Sequence, residues 1–269
     1  MAPPIILIDD PADPRVAAYR DVRERDLVGR EGLFVAEGEV VLNVLARSGL
    51  CEPVSLMIAR KRVAGLAHLI AQMPDDVPVY SASQAAMDAV VGFHIHRGIL
   101  ALGRRRAAPG AADMLAGLGE GSLVLALSGI ANHDNMGGLF RNAAAFGVDA
   151  VLLDTDCCDP LYRKAIRVSV GAVLATPFAT AQGDLLDALG TAGFETVALS
   201  PGGDRRLVDL RRASKTAVLL GAEGPGLAAS VLARATTVAI PMATGFDSLN
   251  VATTAGIVLH HLAFAAAKA

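Results

Sequence analysis

The chain has 269 residues, 53% hydrophobic and 19% charged, a composition that excludes a disordered chain and describes a globular protein able to bury a substantial core. The length exceeds the prior of about 100 to 200 residues per domain, so two domains are expected. A net charge of −3 argues against nonspecific adhesion to a polyanion but leaves room for local basic patches.

Such patches occur at Arg20, Arg23, Arg25 and Arg30, at Arg60, Lys61 and Arg62, and at Arg104, Arg105 and Arg106. For any one of them alone, a solvated surface is a plainer reading than RNA binding. The N-terminal MAPPIILIDDPADP has proline and acid where a secretory signal needs a basic region and an apolar run, so no export signal is expected. Cys51, Cys157 and Cys158 cannot form a disulfide framework, two being adjacent, and a reducing cytoplasm is expected.

In chain order, FVAEGEVVLNVLARSG (34 to 49) has helical apolar spacing and ends on a capping glycine. PVSLMIA and VPVY read as short buried strands, SASQAAMDAVVG as a capped helix, and GILALGRRR as a last strand. His94 and His96 alternate as on a strand, but no further ligand is spaced to join them, so no metal site is expected. RRRAAPGAADMLAGLGEG (104 to 121) shifts to proline, glycine and alanine. The linker is placed at 107–121, between a domain of residues 1–106 and one of 122–269.

The second part alternates strand, loop and helix. SLVLALSGI, AVLLD, FETVALS, TAVLLG and TTVAIPM are apolar strands, and AQGDLLDALGTAG and GLAASVLARA are helical. This predicts a mostly parallel α/β sheet with helices on both faces, whose ligands bind beyond the carboxyl ends of the strands. Leu249 to Ala267 is apolar enough to be weighed as a membrane span, but Thr253, Thr254, His260 and His261 interrupt it and favour a helix buried in the protein or between subunits. Cys157 and Cys158 are read as packed side chains rather than reactive ones.

Three loop-to-helix segments stand out. In NHDNMGGLFRNA, Asn132, Asp134 or Asn135 caps a helix, Gly137 and Gly138 allow close approach to its first turn, and Arg141 lies one turn after Gly137 on the same face. Taken alone, Arg141 fits a structural salt bridge as well as a functional role. GAEGPG sets three glycines around Glu223 at a strand end, without the spacing of a dinucleotide loop or the lysine of a P-loop. In IPMATGFDSLNVATTAG, Pro241 breaks a strand and Ser248 caps the final helix.

Together and in this order, the three segments resemble the signature motifs of the SpoU, or TrmH-like, RNA ribose 2'-O-methyltransferases of the SPOUT superfamily. The first motif matches Asn135, Gly137, Arg141 and Ala143; the second Gly221, Glu223 and Gly226; the third Ile240, Pro241, Met242, Ser248, Leu249, Asn250 and Val251. The resemblance spans about 122 to 268, with His133 where many members have proline. It is softer before residue 107, where FVAEGEVVLNVL and HRGILAL look like the family's small α/β substrate-binding domain.

The resemblance implies a trefoil knot in which the loops at Gly221, Ile240 and Leu249 hold S-adenosylmethionine, with Met242 beside them, an exception to the rule against threaded chains. It implies methyl transfer to a ribose 2'-hydroxyl of tRNA or rRNA by a homodimer. It assigns Arg141, Asn135, Glu223, Ser248 and Asn250 to the catalytic machinery. A guanidinium with a pKa above about 12 suits Arg141 to holding phosphate and ribose by charge-assisted hydrogen bonds better than to removing a proton. A noncatalytic RNA-binding module of the same fold would be expected to lose Arg141, Asn250 or the glycines. A dinucleotide-dependent enzyme predicts GxGxxG after the first strand and an acid about 20 residues later, and neither is present.

Overall fold

The structure is a computed structural model that describes residues 3–20, 32–224, 226–245 and 248–264. Arg23, Arg25 and Arg30 of the first basic patch, and the end of the apolar C-terminal segment, lie outside the described residues. The chain divides into two compact units, Met1–Ala107 with Leu161–Ala175, and Ala108–Pro160 with Thr176–Ala269.

The first unit contains β1 (Ile5–Ile8), β2 (Leu33–Glu37), α1 (Glu39–Arg47), β3 (Cys51–Ala59), β4 (Val79–Ala82), α2 (Gln84–Val91) and β5 (Ile99–Arg105). Its sheet runs in the order β1-β4-β3-β5-β2, with β4 parallel to β1 and β3, and β5 antiparallel to β3 and β2. The helix expected from Phe34 starts only at Glu39. All five residues of β2 are buried, so their apolar run carries no period that distinguishes strand from helix, and Gly38 at φ 94° separates the two elements. SASQAAMDAVVG folds as read: the Ser83 hydroxyl accepts from the Ala86 amide and Gly92 closes α2 in the left-handed region. His94 and His96 lie in the loop after α2 rather than on a strand. His94 Nδ1 is 2.7 Å from Asp88 Oδ2.

A segment distant in sequence completes this unit. In the helix Arg163–Val168, the Arg163 guanidinium donates to the buried Glu37 carboxylate at 2.9 Å and lies 4.5 Å from the Phe93 ring centre. The Ser48 hydroxyl donates to the Leu174 carbonyl at 2.5 Å.

The second unit holds α3 (Ala111–Ala116), β6 (Leu123–Leu127), α4 (His133–Ala145), β7 (Ala150–Leu153), β8 (Phe178–Thr180), α5 (Leu185–Thr191), β9 (Glu195–Leu199), β10 (Arg205–Arg206), β11 (Thr216–Leu220), β12 (Thr236–Ala239) and α6 (Val251–Phe264). The stretch read as a linker thus contains α3, whose Met114 and Leu115 join the core with Leu186, Leu189, Val124, Ala126 and Leu219. The sheet order is β10-β12-β9-β11-β6-β7-β8 and every pair is parallel. Strands buried on both faces read as unbroken apolar runs, which is why LVLAL and TAVLL were legible. GLAASVLARA is helical only over Ala229–Leu232. No helix among the described residues is long and apolar enough to cross a membrane.

Candidate functional site

In the second unit the parallel strands all end on one side, and there the chain encloses a cavity of about 710 Å³. Its walls come from the ends of β9 (Leu199, Ser200, Pro201), β11 (Leu220 to Glu223) and β12 (Ile240, Met242), and from the start of α6 (Leu249, Asn250, Thr254). Gly221, Glu223, Ile240, Met242, Ser248, Leu249 and Asn250 all line it. Gly221 is required by close approach: a Cβ there would stand 2.6 Å from the Gly226 carbonyl carbon and 2.7 Å from the Leu227 nitrogen. Ala222 and Gly226 form an antiparallel bridge across the same loop.

Asn250 ties the segments together. Its side-chain amide donates to Asn135 Oδ1 at 2.9 Å and to Glu223 Oε1 at 3.0 Å, while its Oδ1 accepts from the Ala252 amide at 2.9 Å and the Thr253 amide at 3.3 Å. One residue therefore caps α6, grips the first turn of α4 and holds the β11 loop. The cap expected of Ser248 is made by Asn250 instead, because the helix begins at Val251 and the side chain one residue before it reaches the free amides. At the head of α4 the cap is Asn132, whose Oδ1 accepts from the Asp134 and Asn135 amides at 2.8 and 3.3 Å.

Asn135 is buried at the base of this network. Arg141 is not on the cavity wall: it is exposed, with no hydrogen-bond or ionic partner among the described residues. The buried salt bridge considered for it is absent among those residues. Arg141 lies one turn after Gly137 on α4, about 40° from it around the helix, and points out of the packed side, since Asp134 and Arg141 are exposed while Gly137 is buried. The approach to Gly138 comes from α6: a Cβ there would lie 2.8 Å from the Ala252 Cβ, and Asn142 Nδ2 donates to the Ala252 carbonyl at 2.6 Å.

Sequence reasoning missed Leu199, Ser200, Pro201 and Thr254. The signal for the first three was the SPGG turn at the carboxyl end of a parallel strand. It also missed what steadies the loop before α4, where both Asp154 carboxylate oxygens accept from the Gly129 amide at 3.1 and 3.0 Å. The Cys157 sulfur lies 3.3 Å from the Ile130 amide and 3.4 Å from the Leu127 carbonyl, and burial pushes this thiol up to about 12.

The SpoU rRNA Methylase family model matches residues 122–260. The chain belongs to that family. A Mycobacterium bovis relative, named an uncharacterized tRNA/rRNA methyltransferase, is 40% identical over 262 residues, covering 93% of this chain and 89% of the relative. The AdoMet-bound rRNA methyltransferase of Sinorhizobium meliloti superposes with a TM-score of 0.80 at 23% identity, over 95% of this chain and 96% of that one. An RNA 2'-O ribose methyltransferase superposes at 0.75 and 23% identity, over 95% and 97%. At that identity these two likenesses speak to the fold, while the family model and the mycobacterial relative make this chain a SpoU-family RNA methyltransferase.

Proposed function

We propose that the protein transfers the methyl group of S-adenosylmethionine to a ribose 2'-hydroxyl of tRNA or rRNA. The observation that carries this reading is the lining of the cavity, in which Glu223 is the one ionisable side chain among the described residues and the remainder is apolar wall, hydroxyl, amide and backbone. A ligand with sulfonium and ammonium groups suits such a lining, whereas a nucleotide phosphate would find no cation there. The volume lies within the roughly 300 to 1,000 Å³ of ordinary ligand pockets. When bound, the cofactor supplies a methyl carbon activated by its sulfonium.

Ile240, Met242 and Leu249 offer apolar surface to an adenine, and Gly221 leaves its backbone groups free to bond it. Asn250 keeps Asn135 and Glu223 in one frame, and Ser248 and Glu223 orient the loops at the rim. Arg141 extends its guanidinium from α4 to a phosphate and ribose, donating hydrogen bonds that set the 2'-oxygen in line for attack. It stays protonated, so the hydroxyl proton passes to phosphate, water or another residue.

The reading includes a trefoil threading of the loops at Gly221, Ile240 and Leu249, and residues 1–106 as the RNA-holding domain. It includes cytoplasmic location and a homodimer through α6, where Ile257 and Phe264 are exposed apolar side chains.

The test is incubation with isotopically labelled S-adenosylmethionine and separated tRNA and rRNA fractions, then mass spectrometry of the nucleosides. A labelled 2'-O-methyl nucleoside is expected; label on a base overturns the ribose assignment. Calorimetry with S-adenosylmethionine and with NAD separates the rivals, binding of NAD alone being the result that removes methyl transfer.

A further inference from the structure

The two units differ in charge: Met1–Ala107 with Leu161–Ala175 carries 16 Lys and Arg against 13 Asp and Glu, and the cavity-bearing unit 8 against 14. A polyanion approaching that acidic unit needs cations that are free to receive it, and most are already engaged. Arg206 pairs with Asp209 at 2.9 Å, Arg234 with Asp184 at 3.0 Å and with Asp187, and Lys215 donates to the Ala192 carbonyl at 2.7 Å and stacks on Phe194. Arg211 and Arg212 donate to backbone carbonyls of Val208, Leu210 and Gly121. Among the described cations of this unit, two have no hydrogen-bond, ionic or ring partner among the described residues: Arg141 and Arg205.

Arg205 is exposed, yet its backbone is firmly seated. It pairs in register with Val238, a residue of the cavity wall, and it follows Pro201, another, by four positions. Gly203 lies backbone to backbone on β12, since a Cβ there would be 2.5 Å from the Val238 carbonyl carbon. The Asp204 amide donates to Thr237 Oγ1 at 3.0 Å, and that hydroxyl donates to Asp204 Oδ2 at 2.8 Å, so the neighbouring carboxylate is engaged elsewhere. A fixed strand presenting a solvated guanidinium beside the cavity suits a charge-assisted bond to an incoming anion.

We infer that Arg205 is a second RNA phosphate contact of this unit, acting with Arg141 from the other side of the sheet order; this rests on the RNA methylation reading above. The cofactor is the poorer partner, because its sulfonium and ammonium outweigh its one carboxylate.

The test compares the full-length protein with R205Q and with R206Q, whose guanidinium Asp209 already holds. Affinity for fluorescein-labelled polyuridylate is measured across a salt series, and S-adenosylmethionine affinity by calorimetry. R205Q is expected to bind polyuridylate several-fold more weakly, with the slope of log K against log salt shallower by about 0.7, one single-strand phosphate contact. Its cofactor affinity and melting temperature are expected to match wild type, and R206Q to keep the wild-type slope. An unchanged slope in R205Q overturns the inference alone, as does a loss of cofactor affinity, which would assign the arginine to the cofactor carboxylate. Wild-type protein that binds S-adenosylmethionine but shows no salt-dependent affinity for polyuridylate overturns the inference and the RNA reading together.

Discussion

The five-stranded sheet mixes parallel and antiparallel pairs in a unit of net positive charge, whereas the seven-stranded sheet is wholly parallel in a unit of net negative charge. In the parallel sheet every carboxyl end faces the same way, so the loops after β9, β11 and β12 converge on one cavity. In the mixed sheet β5 and β2 run against each other, so the strand ends split between two edges. The charge difference parallels the proposed division of work, in which an acidic unit suits a cationic cofactor and a basic one suits a polyanion. An RNA substrate has to approach an acidic unit, and the proposal above gives that task to Arg141 and Arg205, which have no partner among the described residues.

The largest expected effect lies at that exception. Arg141→Ala should lower the methylation rate at saturating RNA by roughly 10²- to 10³-fold, the usual consequence of removing one preorganised donor. Its melting temperature should stay within experimental error of wild type, because the side chain is exposed and holds nothing. Full activity at saturating RNA would remove Arg141 from the machinery; a large loss of stability would mean it is structural after all.

A perturbation of similar size can be placed in the basic unit. Glu37→Ala removes from the Arg163 guanidinium a carboxylate that now sits 2.9 Å away and is only 8% exposed. Breaking such a pair costs about 3 to 5 kcal/mol when both partners are buried; Arg163 is 26% exposed and can reach water, so about 2 to 3 kcal/mol is expected by denaturant titration. Calorimetry on the folded variant should find S-adenosylmethionine affinity unchanged. A parallel fall in cofactor affinity would erase the separation of the two units.

Gly221→Ala probes the cofactor side alone. The added methyl meets backbone atoms of Gly226 and Leu227 that have no rotamer with which to yield, so a cost of about 1 to 3 kcal/mol is expected. It should read out as a roughly 10- to 100-fold weaker affinity for S-adenosylmethionine, with polyuridylate binding retained. Loss of RNA affinity and retention of the cofactor would place the cavity's role elsewhere.

How far the sequence disclosed these units follows from how each element is buried. β6 and β11 are sandwiched between helices, so their apolar runs announced them; β2 is also wholly buried, but Gly38 and α1 follow it directly and its residues read as part of a helix. β10 is two arginines on an edge, without any apolar residue to mark it, and it exists because Gly203 lets that segment lie on β12. The placement of Leu161–Ala175 depends on Arg163 finding Glu37 across more than a hundred residues, which no local pattern encodes. At the site, the motifs named the residues around the cavity, but local rules misjudged their roles. Ser248 and Asn250 are equally good capping residues, and helix α6 starts late enough that Asn250 takes the cap, and with it the bridge to Asn135 and Glu223.

The smallest expected effect is also the finest comparison of the two units, because the basic unit holds the buried Cys51 and the acidic one the half-buried Cys157 and Cys158. Burial raises Cys51 to about 11 in the basic unit, and Cys157 to about 12 and Cys158 to about 11 in the acidic one, against an ordinary 9.0. A thiol held neutral by folding contributes stability that is complete below its unfolded value and is lost as pH rises from about 9 toward these folded values. Native protein should therefore take up iodoacetamide slowly at neutral pH, since the thiolate is the reactive form. Mass spectrometry of the alkylated peptides over a rising pH series should show Cys51 and Cys158 reacting before Cys157. In Glu37→Ala protein, Cys51 labelling should accelerate severalfold while Cys157 keeps its wild-type rate, because the lost ion pair belongs to the unit that buries Cys51. Equal acceleration at Cys51 and Cys157 would show that the two units open as one, and the division of labour drawn from their sheets and charges would then have no counterpart in their stability.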